Sequence, residues 1–282
     1  MNYKIIGDSC LDLTDELKKN PHFQMIPLTL QVDDTQVIDD ETFDQAEFLK
    51  LVKNSPNCPK TACPSPEMFK EAFECDADMI FVLTLSEHLS GSYNSAVLGK
   101  KLYDEEHAQD EKTKSIAVID SLSASAGELN QALFIQDLCE QGLEFEEIVE
   151  RATAFRDGMN TYFVLETLDA LRKNGRLTGL QAFFATALNI KPVMGADKGV
   201  IIKLDQARGM NKALARMCEI AVRNAGETED KVVVIAHCNN VSRAEAVKQE
   251  ICSRAAFKKV VITETAGVAT VYASDGGIVL AI

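Results

Sequence analysis

Short apolar runs separated by polar breaks rich in glycine and proline give the first half of the chain a regular beat. Residues 3–6, 25–32, 79–85 and 116–119 are mostly continuous apolar stretches, the pattern of strands buried on both faces. Between and after them, residues 44–53, 66–73, 93–103, 127–141 and 146–156 space their apolar side chains three and four apart, as amphipathic helices do. Strands alternating with helices predict a parallel sheet joined by right-handed crossovers.

Beyond about residue 156 the beat changes. Residues 162–171 and 177–190 read as helices, and 192–203 as a β-hairpin turning at 196–199. Residues 232–236 and 260–263 read as strands flanking a helix at 242–254, and 277–282 as a closing strand. The expected fold is α/β in two domains: residues 1–156 around a parallel sheet, and residues 157–282 of α+β texture. No Pro/Ser-rich linker divides them, so the halves are expected to pack closely, with the ligand site at their interface.

Composition narrows the function. A chain of 282 residues with 46% hydrophobic content supplies a sizeable core. A net charge of −14 without a basic run repels phosphate backbones, which excludes nucleic acid as a partner. No apolar run is long enough for a membrane span and no secretory leader pattern opens the sequence. Eight cysteines without a C-x-x-C pair suit reduced thiols in a cytoplasm. Cys58, Cys63 and Cys75 lack the paired spacing and fourth ligand of a zinc site, and neither nucleotide-binding glycine motif occurs, so no metal or cofactor is expected.

What marks the chain instead is hydroxyls gathered at strand ends. Ser86, Ser90, Ser92 and Ser95 lie between a strand and a helix, where Ser90 is either an N-cap or a donor beside the free N–H groups that favour an anion. Leu89-Ser90-Gly91-Ser92 has glycine on one side only of a would-be nucleophile turn, with His88 nearby, which keeps a serine hydrolase or acyltransferase using Ser90 as a rival. Ser65 with Pro66 reads as a helix start, whereas Thr61, in a proline-braced loop, has a hydroxyl that capping does not use and that either faces a ligand or satisfies its own turn. Asp8-Ser9, and Asp120-Ser121 with Ser123, Ser125 and Gly127, repeat the strand-end pattern, so three strand ends are expected to meet at one rim. Arg176, Lys191 and Arg208 are candidates for binding an anion, or for ordinary ion pairs and helix C-caps. Leu180, Phe183, Phe184, Ala187 and Leu188 predict a helix that is buried or lines a pocket.

In order along the chain, these pieces resemble the DegV family of bacterial fatty-acid-binding proteins. The resemblance rests on Asp8-Ser9 with Asp12-Leu13, Ile26-Pro27-Leu28, Thr61 with Pro64-Ser65-Pro66, Leu89-Ser90-Gly91-Ser92-Tyr93 and Ile119-Asp120-Ser121. Gly175-Arg176, Ile190-Lys191-Pro192 and Arg208-Gly209 complete it. It implies a two-domain DegV-like fold that buries one long-chain fatty acid, with the carboxylate held by hydroxyls at the cleft. It also implies that the chain is no enzyme, and that it presents the lipid to a separate ATP-dependent fatty-acid kinase serving phospholipid synthesis.

By the same resemblance, Thr61 and Ser90 are carboxylate ligands, with Gly91 and Ser92 beside Ser90, while Arg176 and Arg208 orient the ligand or meet the kinase. Two positions depart from the family pattern. Ala62 stands where a second hydroxyl is expected, and Ala273-Ser-Asp-Gly-Gly277 replaces a segment with a histidine. Tyr272, Ser274 or a backbone N–H at Gly276–Gly277 is then the candidate substitute, and a carrier of another amphiphile stays open as an alternative.

Overall fold

The computed structural model describes residues 2–110, 114–177 and 189–282. The helix expected at 177–190, with its apolar face at 180–188, lies outside these described residues except at its two ends. The chain opens with β1 (Tyr3–Asp8), a 3-10 turn at Leu17–Lys19, β2 (Phe23–Ile26), β3 (Thr29–Val32) and β4 (Thr35–Ile38). Next come α1 (Gln45–Asn54), β5 (Lys60–Ala62), α2 (Pro66–Ala72), β6 (Met79–Thr84), α3 (Ser92–Glu106), β7 (Ser115–Asp120), α4 (Ala126–Glu140) and α5 (Phe145–Gly158).

Four of these strands form the parallel sheet that the alternation predicts, in the order β2-β1-β6-β7. Every residue of β6 is buried, as a central strand covered on both faces requires. Phe69 and Phe73 of α2, with Ala96 and Tyr103 of α3, cover one face through Ile6, Ile80 and Val82. Leu129, Ala132 and Ile135 of α4, with Ile148 of α5, cover the other through Ile5, Phe81 and Leu83.

The single strand expected at 25–32 is two strands. Pro27 has no N–H for the ladder and breaks the run. β2 stays in the parallel sheet, while β3 joins an antiparallel sheet of order β4-β3-β5, which α1 and the later helix Gly267–Ala273 cover through Phe48, Val268 and Val271.

The second half begins with β8 (Thr161–Val164), α6 (Asp169–Lys173), β9 (Ile190–Asp197), β10 (Val200–Arg208) and α7 (Met210–Ala225). It ends with β11 (Val232–His237), α8 (Val241–Cys252), β12 (Lys259–Glu264), α9 (Gly267–Ala273) and β13 (Ile278–Ala281). A mixed sheet runs β10-β9-β8-β13-β11-β12, in which only β11 and β12 are parallel neighbours.

The helix expected at 162–171 is corrected: its start is β8, and only 169–173 is helical. Tyr162 pairs with Leu280 on one side and Gly195 on the other, so ladder bonds on both edges override a three-and-four spacing. Two helices, α7 and α9, lie outside the expected elements. α7 buries Met210, Ala213, Leu214, Met217 and Ala221, a helical period present in the sequence. α9 begins where the Asp39 carboxylate accepts from Gly267 N at 2.6 Å and Val268 N at 2.8 Å, a cap supplied from far along the chain. The hairpin occurs as expected but longer, with Lys198 and Gly199 at positive φ in its turn.

α4 joins the two sheets. Along β11, Val233 and Ile235 pack outward under α7 and α8, while Val234 and Ala236 alternate inward and share one core with α4 and the parallel sheet.

Candidate functional site

A cavity opens where the ends of β6 and β7, the start of α4, strand β5, helix α9 and the β8–β10 strands meet. Its interior volume is about 100 Å³, and about 840 Å³ of atom-free space lies in and around it when the open solvent at its mouth is counted. Leu85, Leu89, Leu165, Leu171, Ile201 and Val268 give it an apolar wall. Polar groups enter in two sets. Thr61, Ser90, Arg176 and Tyr272 are partly exposed and form the mouth, whereas Cys10, Ser123, Ser125 and Thr161 are buried in its interior.

At the mouth, the Thr61 and Tyr272 hydroxyls lie 3.0 Å apart and share a hydrogen bond. The Arg176 guanidinium stands over the Tyr272 ring, 5.8 Å from its centroid. Gly175, at positive φ just past α6, turns the chain back so that Arg176 N donates to Leu171 O at 2.8 Å. The Arg176 side chain then donates from Nε to Leu89 O at 3.1 Å and from Nη1 to Asn174 O. Asn174 in turn donates to Pro59 O at 2.9 Å, which ties this loop to the residue just before β5, the strand that carries Thr61 where a loop was expected. A guanidinium has five N–H donors, so donors remain for an anion. Among the described residues no carboxylate pairs with it.

The other sequence-predicted positions are placed as follows. Lys191 is committed to a structural pair with Glu166 at 2.6 Å, and Arg208 is exposed at the end of β10, away from the cavity wall. Gly91, not Ser90, is the N-cap of α3; Ser90 Oγ instead accepts from Ser92 N at 3.2 Å and lies 3.0 Å from Ser92 Oγ. Ser92 is buried behind it, hydrogen-bonded to Asp8. Ala62 is exposed beside Thr61. Ser274 and Gly276 adopt positive φ in the turn after α9, where Gly276 N donates to Cys238 O at 2.9 Å. Neither lines the cavity, so Tyr272 is the one of the three candidate substitutes that reaches it. No hydrogen bond joins the exposed His88 ring to Ser90 among the described residues, as Ser-His nucleophile activation requires.

A model of the family described as "Uncharacterised protein, DegV family" matches residues 2–282. The chain belongs to the DegV family. A DegV domain-containing protein of Streptococcus pneumoniae is 36% identical over 284 residues, covering 99% of this chain and 98% of its own. Among solved structures, a Ruminococcus gnavus DegV protein, described with vaccenic acid, is 47% identical at TM-score 0.95, covering 99% of each chain. The Streptococcus pneumoniae fatty acid kinase B3 protein, loaded with linoleic acid, is 34% identical at TM-score 0.89, covering 100% of this chain and 99% of that one. The parallel sheet of the N-terminal part and the mixed sheet with helices of the C-terminal part match these DegV structures.

Sequence reasoning missed what holds this DegV cavity open: buried carboxyl groups behind its wall. Asp8 accepts from Cys10 N and Leu85 N, both at 3.0 Å. Asp12 accepts from Ala266 N at 2.6 Å and from the Ser125 hydroxyl, and Asp39 accepts from Val268 N. Cys10, Leu85, Ser125 and Val268 all line the cavity, so each of these wall positions hangs on a carboxyl group. Burial pushes Asp8 up to about 6, Asp12 to about 7 and Asp39 to about 6, against the hydrogen bonds that pull them down. Burial, then the charge of Asp8, holds fully buried Glu128 well above the carboxylate range. The Asp8-Ser9 and Asp12-Leu13 pieces were the available signal; their burial was not written in the local sequence.

Among the described residues, no helix is long and apolar enough to cross a membrane, and no cluster of His, Cys, Asp and Glu is placed to hold a metal ion.

Proposed function

We propose that this DegV chain is a carrier that binds one long-chain fatty acid, its acyl chain in the cavity and its carboxylate at the mouth. The observation that carries this reading is the pairing of an apolar cavity with a guanidinium that no carboxylate among the described residues neutralises, flanked by the hydroxyls of Thr61, Ser90 and Tyr272. Burying each methylene contributes about 0.8 kcal/mol, and a charge-assisted hydrogen bond to the head group roughly 1.5–3 kcal/mol. Apolar burial therefore supplies affinity and the mouth fixes orientation. The vaccenic and linoleic acids of the two solved relatives support the same ligand class.

In this reading the chain divides near residue 156 and the acyl chain lies where the halves meet. Tyr272 stands in for the absent histidine, and Arg208, outside the cavity, faces a partner rather than the ligand. The chain performs no catalysis; it works in the cytoplasm, where its free cysteines stay reduced, and hands its ligand to a separate ATP-dependent fatty-acid kinase. The fatty acid kinase B3 relative supports that hand-over.

Solvent extraction of purified protein followed by mass spectrometry tests the reading. It should yield close to one fatty acid per chain, and protein that is lipid-free and takes up no fatty acid on incubation refutes it. Fluorophosphonate labelling that disappears in Ser90→Ala would instead favour a hydrolase, and extraction of a lipid without a carboxylate would favour a carrier of another amphiphile.

A further inference from the structure

The interior of the cavity carries a second polar feature that the head group of a fatty acid does not use. Ser123, in the turn just before α4, and Thr161, the first residue of β8, both line the cavity and are 4% and 9% exposed. Their hydroxyl oxygens lie 2.7 Å apart. A hydroxyl pair has two protons, and a bond between its members consumes one. Among the described residues neither side chain has another hydrogen-bond partner, so one donor and several lone pairs remain for whatever fills the cavity. The neighbouring Ser125 differs, because its proton goes to Asp12.

The fold makes room for this pair at a cost. A Cβ on Gly127 would fall 1.8 Å from Ser123 Oγ and 2.5 Å from Thr161 Oγ1. Glycine within a helix is about 1 kcal/mol less favourable than alanine, and α4 accepts that in its first turn, where the two hydroxyls must sit. A tie between the two halves of the chain would need one proton; among the described residues the second has no acceptor. A methylene chain leaves it unsatisfied, whereas an alcohol oxygen accepts it and returns its own proton to a free lone pair.

We infer that the Ser123–Thr161 pair is an internal subsite for an oxygen substituent on the acyl chain, so that the cavity accepts hydroxylated fatty acids as well as plain ones. This rests on the carrier reading and names its ligand class further. In a wholly apolar cavity a chain hydroxyl would lose its water without replacement and bind at least tenfold more weakly than the parent acid. At this pair the loss is replaced by two hydrogen bonds, and the substituent that reaches it gains roughly threefold to tenfold.

The experiment is calorimetric titration of delipidated protein with octadecanoic acid and with its monohydroxylated derivatives, substituted at the middle, three-quarter and terminal carbons. One derivative should bind threefold to tenfold more tightly than octadecanoic acid. In Ser123→Ala/Thr161→Val that derivative should become at least tenfold weaker than octadecanoic acid. Octadecanoic acid should bind the variant at least as tightly as the wild type, a wild-type-like circular dichroism spectrum shows that the fold is intact, and each single variant repeats the comparison if the double variant does not fold. Wild-type protein that rejects every hydroxylated chain tenfold, or a preference that the variants do not alter, overturns the subsite while leaving the carrier reading intact. Failure to bind octadecanoic acid as well overturns both.

Discussion

Asp12→Asn is the sharpest test of the buried carboxyl groups behind the cavity wall. Asp12 is fully buried, accepts from Ala266 N at 2.6 Å and from the Ser125 hydroxyl, and has its pKa pushed up from 3.8 to about 7 by burial, with Asp39 adding to the rise and Lys18 opposing it. Below about pH 4 the group is protonated folded and unfolded, and its full contribution is present. Between pH 4 and 7 the unfolded chain gives up the proton that the folded chain keeps, so stability falls as pH rises through the folded pKa. At roughly 1.4 kcal/mol per pH unit, the span from 3.8 to about 7 corresponds to about 4 kcal/mol at most. Asparagine keeps the shape: its carbonyl accepts from Ala266 N, its amide donates to Ser125, and it has no charge to bury. Urea unfolding of both proteins from pH 4 to 8.5, followed by circular dichroism, isolates this group because the other carboxylates are common to both. The variant should match the wild type near pH 4 and gain on it steadily up to about pH 7, then hold a constant lead above pH 8. A difference independent of pH would refute the assignment of Asp12 as a costly buried charge.

Tyr272→Phe removes the hydroxyl partner of Thr61 and should weaken fatty-acid binding about tenfold by calorimetry, as should Thr61→Ala, whereas Ser92→Ala, whose hydroxyl faces Asp8, should change it less than about threefold. Arg176→Gln should cost a fatty acid roughly 10- to 100-fold and leave the matching fatty alcohol nearly unaffected; equal losses for both would show that Arg176 shapes the wall rather than meeting a carboxylate. Gly127→Ala should lower the unfolding free energy by about 1–3 kcal/mol despite alanine's better helix propensity, because its Cβ meets Ser123 Oγ, and an unchanged thermal midpoint would contradict that packing.

The parts of the fold legible in the sequence are those set by neighbours along the chain. The all-apolar run of β6 and the Ser65-Pro66 start of α2 are local signals, and both elements form where those signals put them. α7 is equally legible from its period, since Met210, Ala213, Leu214, Met217 and Ala221 fall three and four apart. β8 and α9 were not legible, for a physical reason: Tyr162 is held by strands on both sides, and the cap of α9 comes from Asp39, 228 positions earlier. The same division runs through the site. Thr61, Ser90 and Arg176 are marked by polar loops at element ends, where local chemistry shows. Tyr272, the Ser123–Thr161 pair and the buried carboxyls depend on which distant segments meet, and no periodicity reports that.

The position of α4 bears on how any ligand gets in and out. Its apolar side chains belong at once to the core under the parallel sheet and to the inner face of β11 and β13, so parting the halves like a clamshell would expose Leu129, Ile135, Val234 and Ala281 together. At roughly 1.5–3 kcal/mol for each large side chain brought into water, such opening competes with the stability of the whole protein. Entry at the rim asks for less: there, among the described residues, the Ser86 hydroxyl donates to Gly199 O at 3.1 Å and fastens the hairpin tip across the end of β6. On the carrier reading, a ligand would pass by loosening that bond while the frame stays shut.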